Sequence, residues 1–163
     1  MRDRSMYPEF TIKSLSENGS SVSGDLNRLN QGKEQWINDK YVGAMLCGGV
    51  VAFGRWHQEP GVWTFRFDES ESHKLQLSES QVVYVLDGYW GERAEIVLDA
   101  TIHWNEAKFT AKKEWDHEHC AICWAKISES ENTAYYLGAD RPVCSECYQN
   151  YIQPKSLGFV PNA

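Results

Sequence analysis

Hydrophobic and polar residues alternate over much of the chain with the period of two that is typical of half-buried strands. Within Val62–Phe67, three aromatic residues alternate with smaller or charged ones. Two apolar runs, Tyr41–Cys47 and Val50–Phe53, are separated by Gly48-Gly49. Because a glycine pair between two apolar runs favours a tight turn, this stretch predicts a β-hairpin.

Between residues 74 and 104 the pattern predicts three further elements. Lys74–Leu77 is compatible with a short strand. Ser78–Gly88 combines capping-box spacing with a glycine stop signal, which favours a short helix although Val82–Leu86 has strand propensity. Ala94–Trp104 alternates most clearly and therefore predicts a strand with one buried and one solvated face.

The composition of the chain changes along its length and divides it into three parts. Residues 1–33 are polar and rich in turn-forming residues, which predicts a partly irregular N-terminal segment before a β-rich body over 34–113 and a four-cysteine zinc-binding module over 114–163. With 42% hydrophobic residues and seven Trp, the 163-residue chain can bury a core. No apolar run approaches the roughly 18 residues that span a bilayer. Met1–Ser16 carries no apolar signal region, so we expect a cytoplasmic protein.

Four cysteines are the most specific chemical signal in the sequence. They form two Cys-x-x-Cys pairs, Cys120 with Cys123 and Cys144 with Cys147. Four thiolates at this spacing complete a tetrahedral shell, which predicts one structural Zn²⁺ ion. Between the pairs, Thr133–Val143 predicts a hairpin, and a helix is expected to begin near Cys144. The fifth cysteine, Cys47, lies in an apolar run and is expected to be a small buried hydrophobe.

The predicted elements are a Cys-x-x-Cys turn, called a knuckle, then a hairpin, then a second Cys-x-x-Cys pair that begins a helix. This order resembles the treble-clef zinc modules. A zinc ribbon is the alternative fold closest to it. The resemblance covers about fifty residues from Trp115 onward and implies a metal site but no function. Trp115–Trp124 also resembles the C-terminal segment of small bacterial proteins, again without implying a role. The fold class expected is α+β, with a mainly antiparallel β body and a small C-terminal zinc module.

The sequence supports three other roles of the cysteine module less well than a structural zinc site. A dithiol redox pair normally needs one Cys-x-x-Cys motif at a helix start rather than two matched pairs. A catalytic zinc keeps one coordination position open, whereas four cysteines close the shell. The third alternative is that His117 or His119 replaces a cysteine or binds a second zinc ion.

The net charge of the chain indicates which kind of molecule it can bind. The chain has a net charge of −7, with sixteen acidic against thirteen basic side chains in residues 1–113 and seven against three in 114–163. Such a surface attracts basic partners and not nucleic-acid phosphates. The function expected is therefore that of a non-enzymatic, zinc-stabilised protein-binding protein. An inhibitor or immunity-type protein for a basic effector is one concrete form.

Two alternatives come from other functional classes. A nucleic-acid or transcription-associated zinc protein would need a stripe of basic residues, and the module offers only Lys126, Arg141 and Lys155. A hydrolase or transferase would use side chains on the outer face of the predicted strand and its flank, where catalytic carboxylates would need separated pKa values. The candidate residues are Glu92, Glu95, Asp99 and His103. An exposed strand face shows the same spacing, so the sequence favours a protein without catalytic residues.

Overall fold

A computed structural model describes residues 9–27 and 42–158. The described residues form two compact units, one of residues 9–27, 42–95 and Gly158 and the other of Ile96–Leu157. Strands are the main regular structure in both units, and every described strand pair is antiparallel, which confirms the prediction of a mainly antiparallel β fold. In these described ranges, no helix has the length and apolar character needed to cross a membrane.

The first unit is a closed barrel of six strands in the order β1-β2-β5-β4-β3-β6. Its strands are β1 (Glu9–Leu15), β2 (Ser21–Asn27), β3 (Val42–Cys47), β4 (Val50–Glu59), β5 (Val62–Phe67) and β6 (Val82–Asp87). Strand β6 pairs with both β3 and β1 and thereby closes the barrel. The interior is filled by Phe10, Ile12, Val22, Met45, Ala52, Trp56, Phe65, Leu75, Val83 and Val85.

The hairpin and the aromatic strand are confirmed. Strands β3 and β4 pair in register up to Cys47 and Val50, and Gly48 and Gly49 form the turn with φ of 58° and 78°. Positive φ at both central residues matches the twist of a two-residue hairpin, and glycine adopts it without strain. In β5, Phe65 is fully buried, and the rings of Trp63 and Phe67 pack partly buried against the same core.

Residues 1–33 were predicted to be partly irregular, but most of the described residues 9–27 lie in two strands of the barrel. Strand β1 pairs with β2 and with β6, and its residues Phe10 and Ile12 are fully buried. Only the serine-rich stretch between the two strands forms a turn, with Asn18 accepting hydrogen bonds from Ser16 and Ser20. The turn-forming residues correctly predicted the connection between β1 and β2. The two strands themselves were not predicted, because they contain few apolar side chains.

Between residues 78 and 104, the types of the two predicted elements are exchanged: a strand lies where a helix was predicted, and a helix overlaps the predicted strand. Ser78–Gly88 contains strand β6, and Ala94–Trp104 does not form a strand, because helix α1 runs over Gly88–Leu98. The Asp87 carboxylate accepts a hydrogen bond from the Trp90 amide at 2.8 Å, which caps the first turn of this helix. Gly88 therefore begins a helix, and the side chains of Trp90 and Ala94 are buried at helical spacing.

Half of the expected capping box is nevertheless present. The Gln81 side chain accepts a hydrogen bond from the Ser78 amide at 3.0 Å, as a capping-box residue would. Ser80 has a φ of +70°, however, so the chain closes a turn there and enters β6. The short strand predicted at Lys74–Leu77 is also wrong, since Ser72–Lys74 forms a 3₁₀ turn and Leu75 is extended but unpaired in any described strand.

The second unit contains two small sheets. One has the strand order β11-β10-β7 and the other pairs β8 with β9. The elements are β7 (Asn105–Lys108), β8 (His117–His119), β9 (Lys126–Ser128), β10 (Ala134–Gly138), β11 (Arg141–Cys144) and α2 (Ser145–Cys147), which continues into a π-helical turn over Tyr148–Ile152. The predicted hairpin is confirmed as β10 and β11, and the helical segment begins after Cys144 as expected.

The observed division of the chain differs from the predicted boundary between residues 113 and 114. Strand β7 pairs with β10, so residues 105–108 belong to a sheet of the second unit. The polar stretch at the predicted boundary, residues 110–115, forms a loop, which is closed by reciprocal backbone hydrogen bonds of 2.9 Å between Lys112 and Trp115. A polar loop inside a unit and a linker between units have the same composition, so this signal was ambiguous.

Replacement of Gly43 by Ala tests the packing of the barrel. A Cβ atom at this position would overlap the indole ring of Trp56. This ring is only 1% exposed and contacts the rings of Phe10 and Phe65, so it cannot move aside easily. We expect Gly43→Ala to lower the free energy of unfolding by about 1–3 kcal/mol, as overpacked cores do. Urea denaturation measures the change. Ser14→Ala on the exposed side of β1 is the matched control, and equal stability of the two variants would contradict the packing described.

Candidate metal centre

The four predicted cysteines come together in the second unit. One Sγ atom from each of Cys120, Cys123, Cys144 and Cys147 lies within 4.8 Å of all the others. The first pair lies in the turn between β8 and β9, whereas Cys144 ends β11 and Cys147 lies in α2. Three of the thiols are buried and Cys123 is exposed. The cysteines are thus positioned to bind a metal ion.

Backbone hydrogen bonds fold the first pair into a knuckle. The Cys120 amide donates to the Ala125 carbonyl at 2.8 Å, and the Trp124 amide donates to the Cys120 carbonyl at 2.9 Å. The Ala121 amide donates to the carbonyl of Pro142 at 2.7 Å, which ties the knuckle to β11. These bonds bring the two pairs together although about twenty residues separate them.

Backbone amides also point at the sulfur atoms. Cys120 Sγ accepts hydrogen bonds from the amides of Ile122 at 3.4 Å and Cys144 at 3.3 Å. Cys123 Sγ accepts one from the Ala125 amide at 3.4 Å. Such outer hydrogen bonds stabilise the charge of thiolate ligands and orient them toward a shared ion.

Hydrogen bonds among the thiols shift their pKa values in opposite directions. The pKa of Cys120 is held far below its ordinary value, mainly because the thiols of Cys144 and Cys147 donate hydrogen bonds to its sulfur. The same hydrogen bond to Cys120 raises the pKa of Cys144 to about 12. The pKa of Cys147 is raised further, because its thiol donates to Cys120 and Cys144. A metal ion must therefore displace protons from Cys144 and Cys147.

The donor set defines what the centre can hold. Four sulfur ligands in a closed group suit a tetrahedral ion that prefers thiolate, and they leave no coordination position for a substrate. Magnesium and calcium prefer oxygen ligands and do not fit. The centre therefore suits a structural role better than a catalytic one.

The two histidines before the knuckle do not join this group. Among the described residues, the mutually close ligand atoms are the four sulfurs alone. His117 Nδ1 lies 2.7 Å from a carboxylate oxygen of Asp116, and this hydrogen bond lowers the pKa of Asp116. His119 Nδ1 lies 3.1 Å from the Trp124 carbonyl oxygen. The geometry thus gives no support to a histidine in place of a cysteine.

Trp124 was missed by the sequence reasoning. It directly follows the knuckle with a left-handed φ of +67°, a conformation that costs about 1–2 kcal/mol for a residue with a Cβ atom. Its indole ring is 65% exposed and stacks on His119, with ring centroids 4.4 Å apart and an interplanar angle of 2°. Because bulky residues rarely adopt this conformation, the sequence carried no signal for it.

The strand over Ala94–Trp104, on whose outer face the candidate catalytic residues were expected to lie, is absent from the described structure. Glu92 and Glu95 are exposed on helix α1, and His103 is exposed in the segment before β7. Asp99 accepts hydrogen bonds from the hydroxyl and amide of Thr101 at 2.6 and 2.8 Å, which lower its pKa. This carboxylate closes a local turn after the helix.

No protein-family model matches the chain, and no curated protein or solved structure is significantly similar to it. The fold and the site themselves define the class: a six-stranded antiparallel barrel with a four-cysteine metal-binding unit.

Removal of one ligand tests the centre. We expect Cys144→Ser to lose the bound metal and to make Ile96–Leu157 sensitive to protease, since the remaining three sulfurs cannot close the shell. Metal content by mass spectrometry and mapped proteolytic fragments measure both effects. Cys47→Ser, which changes the cysteine of β3, is the control and should keep the metal. Unchanged metal content in Cys144→Ser would contradict the four-cysteine site.

Metal binding should release protons. Because Cys144 and Cys147 hold their protons in the metal-free cluster, we expect uptake of Zn²⁺ near neutral pH to release at least about two protons per ion. Binding must then tighten as pH rises, since proton release favours the complex at low proton concentration. Calorimetry in buffers of different ionisation enthalpy counts the protons. An affinity that stays constant between about pH 6 and about pH 8 would rule this linkage out.

Proposed function

We propose that the metal is a single structural Zn²⁺ ion and that the second unit is a treble-clef-like module. The order of its elements supports this assignment: the knuckle between β8 and β9 comes first, the β10–β11 hairpin follows, and the second cysteine pair begins a helical segment. In a zinc ribbon the second pair would lie in another knuckle and not at the start of a helix. Four cysteines in closed tetrahedral spacing are the usual ligands of structural zinc.

The size of the unit supports a stabilising role for the ion. A segment of about sixty residues buries only about 60% of the surface that its unfolded chain exposes, a smaller share than larger domains bury, and its stability is correspondingly marginal. Structural zinc contributes an apparent binding free energy of roughly 10–16 kcal/mol in finger peptides. On this proposal the ion supplies folding free energy and takes part in no reaction.

We propose that the chain acts as a non-enzymatic protein-binding protein. The observation that carries this proposal is the exposure of Trp124, a 65% exposed indole held in a strained backbone conformation beside the metal centre. Trp115 in the same unit is 38% exposed. Tryptophan is enriched at protein interfaces and among the residues that dominate binding energy. Conformational strain persists where other interactions stabilise it, and it is frequent at functional positions.

The charge of the chain favours a basic protein as partner. A net charge of −7 steers basic proteins toward the chain and repels nucleic-acid phosphates. An inhibitor or immunity-type protein that neutralises a basic effector is the concrete form that we favour. A nucleic-acid or transcription-associated role would lack a basic stripe, and the strand on which an enzymatic role would have grouped its candidate residues is not formed in the described structure.

A binding experiment tests this function. The tag-free chain is immobilised, one co-purifying basic protein is identified from native cells, and its affinity is measured with purified components. We expect a 1:1 complex that weakens as salt rises, and Trp124→Ala should weaken it by about 2 kcal/mol, as interface hot spots do. Val82→Ala, which shortens a 49% exposed side chain in the barrel, is the control. Tight, salt-sensitive binding to generic DNA or RNA instead of protein would overturn the proposal.

A further inference from the structure

Two histidines face the same side of strand β8. His117 and His119 are two residues apart, so their side chains leave the strand on one face. Their ring centroids are 5.0 Å apart and the rings are nearly perpendicular, with an interplanar angle of 88°. Both side chains are partly exposed. Two imidazoles at this separation can reach one ion at the approximately 2.0–2.1 Å typical of metal to histidine nitrogen bonds.

Hydrogen bonds fix the tautomer of each ring. The Trp124 carbonyl oxygen can only accept, so His119 Nδ1 must carry the hydrogen that joins them over 3.1 Å. An ionised Asp116 carboxylate likewise only accepts, so His117 Nδ1 donates to it over 2.7 Å. In each neutral ring the lone pair is then on Nε2. No described residue forms a hydrogen bond with either Nε2 atom.

This arrangement is that of metal-ligating histidines. Such residues donate their second ring N–H to a carboxylate or a backbone carbonyl, which orients the ring and raises the basicity of the ligating nitrogen. His117 uses the carboxylate and His119 uses the carbonyl. The indole of Trp124 stacks flat on His119 and restricts its rotation further. The left-handed backbone of Trp124 aims both the carbonyl and the indole at the same imidazole.

We propose that His117 and His119 form a second metal site, separate from the four cysteines, that binds one divalent transition-metal ion through both Nε2 atoms. Water would complete the coordination shell because the face is open to solvent. Imidazole suits Ni²⁺, Cu²⁺ and Zn²⁺, whereas the four thiolates retain their own ion through sulfur. Asp116 and Trp124 are positioning residues of this site. It does not depend on the protein-binding function proposed above.

Nickel binding to the zinc-loaded, tag-free full-length chain tests this site. Equilibrium dialysis followed by elemental mass spectrometry measures nickel and zinc per chain in the same sample. We expect saturable binding of one Ni²⁺ while zinc stays at one per chain. His117→Gln and His119→Gln should each weaken nickel binding by at least the roughly 10-fold to 100-fold that loss of an outer hydrogen-bond partner costs. Asp116→Asn should weaken it about 10-fold.

His103→Gln is the matched control, because it removes an exposed histidine of the same unit away from strand β8. This variant should bind nickel like the unaltered chain. Zinc content and circular dichroism show whether each variant is folded, so loss of nickel with retained zinc is specific to the histidine pair. Absence of saturable nickel binding, or equal binding by the His117→Gln and His103→Gln variants, would overturn the proposal. Loss of zinc would instead concern the four-cysteine site.

Discussion

The convergence of four sulfur atoms is the constraint on which the second unit depends. Four thiolates within 4.8 Å of one another would repel strongly without a cation, and the hydrogen bonds among the thiols accordingly raise the pKa of Cys144 and Cys147. The hydrogen bond from the Ala121 amide to Pro142 already aligns the knuckle with β11. Backbone pairing and metal binding therefore favour the same geometry, and each strengthens the other.

The barrel, in contrast, is stabilised by the packing of apolar side chains in its interior. Its interior is a continuous apolar cluster in which Trp56 contacts the rings of Phe10 and Phe65. Glycine at position 43 leaves the space that the Trp56 indole occupies. Strands β1 and β2 add Phe10, Ile12 and Val22 to this interior. The other residues of β1 are partly or fully exposed, so the alternation of buried and solvated positions lets a strand with few apolar side chains belong to the barrel.

Local chemistry decided which elements could be predicted. The grouping of the four cysteines was predictable because a tetrahedral ion imposes the number and spacing of its ligands, and the Gly48-Gly49 turn was predictable because it requires positive φ. Strand β6 and helix α1 were not, because apolar residues at Ala94 and Leu98 satisfy both a period of two and a spacing of four. The pairings of β6 with β1 and β3, which are distant from it in sequence, decide between strand and helix. Non-local pairing leaves no periodic trace in a single segment.

Trp124 combines a strained backbone with a largely exposed ring at the knuckle. A glycine would adopt this backbone conformation without strain, whereas a residue with a Cβ atom adopts it at a cost. One face of the ring lies on His119, and the backbone carbonyl of Trp124 lies 3.1 Å from Nδ1 of the same imidazole. Most of the indole nevertheless remains in solvent, so the contacts that orient His119 leave an aromatic surface available.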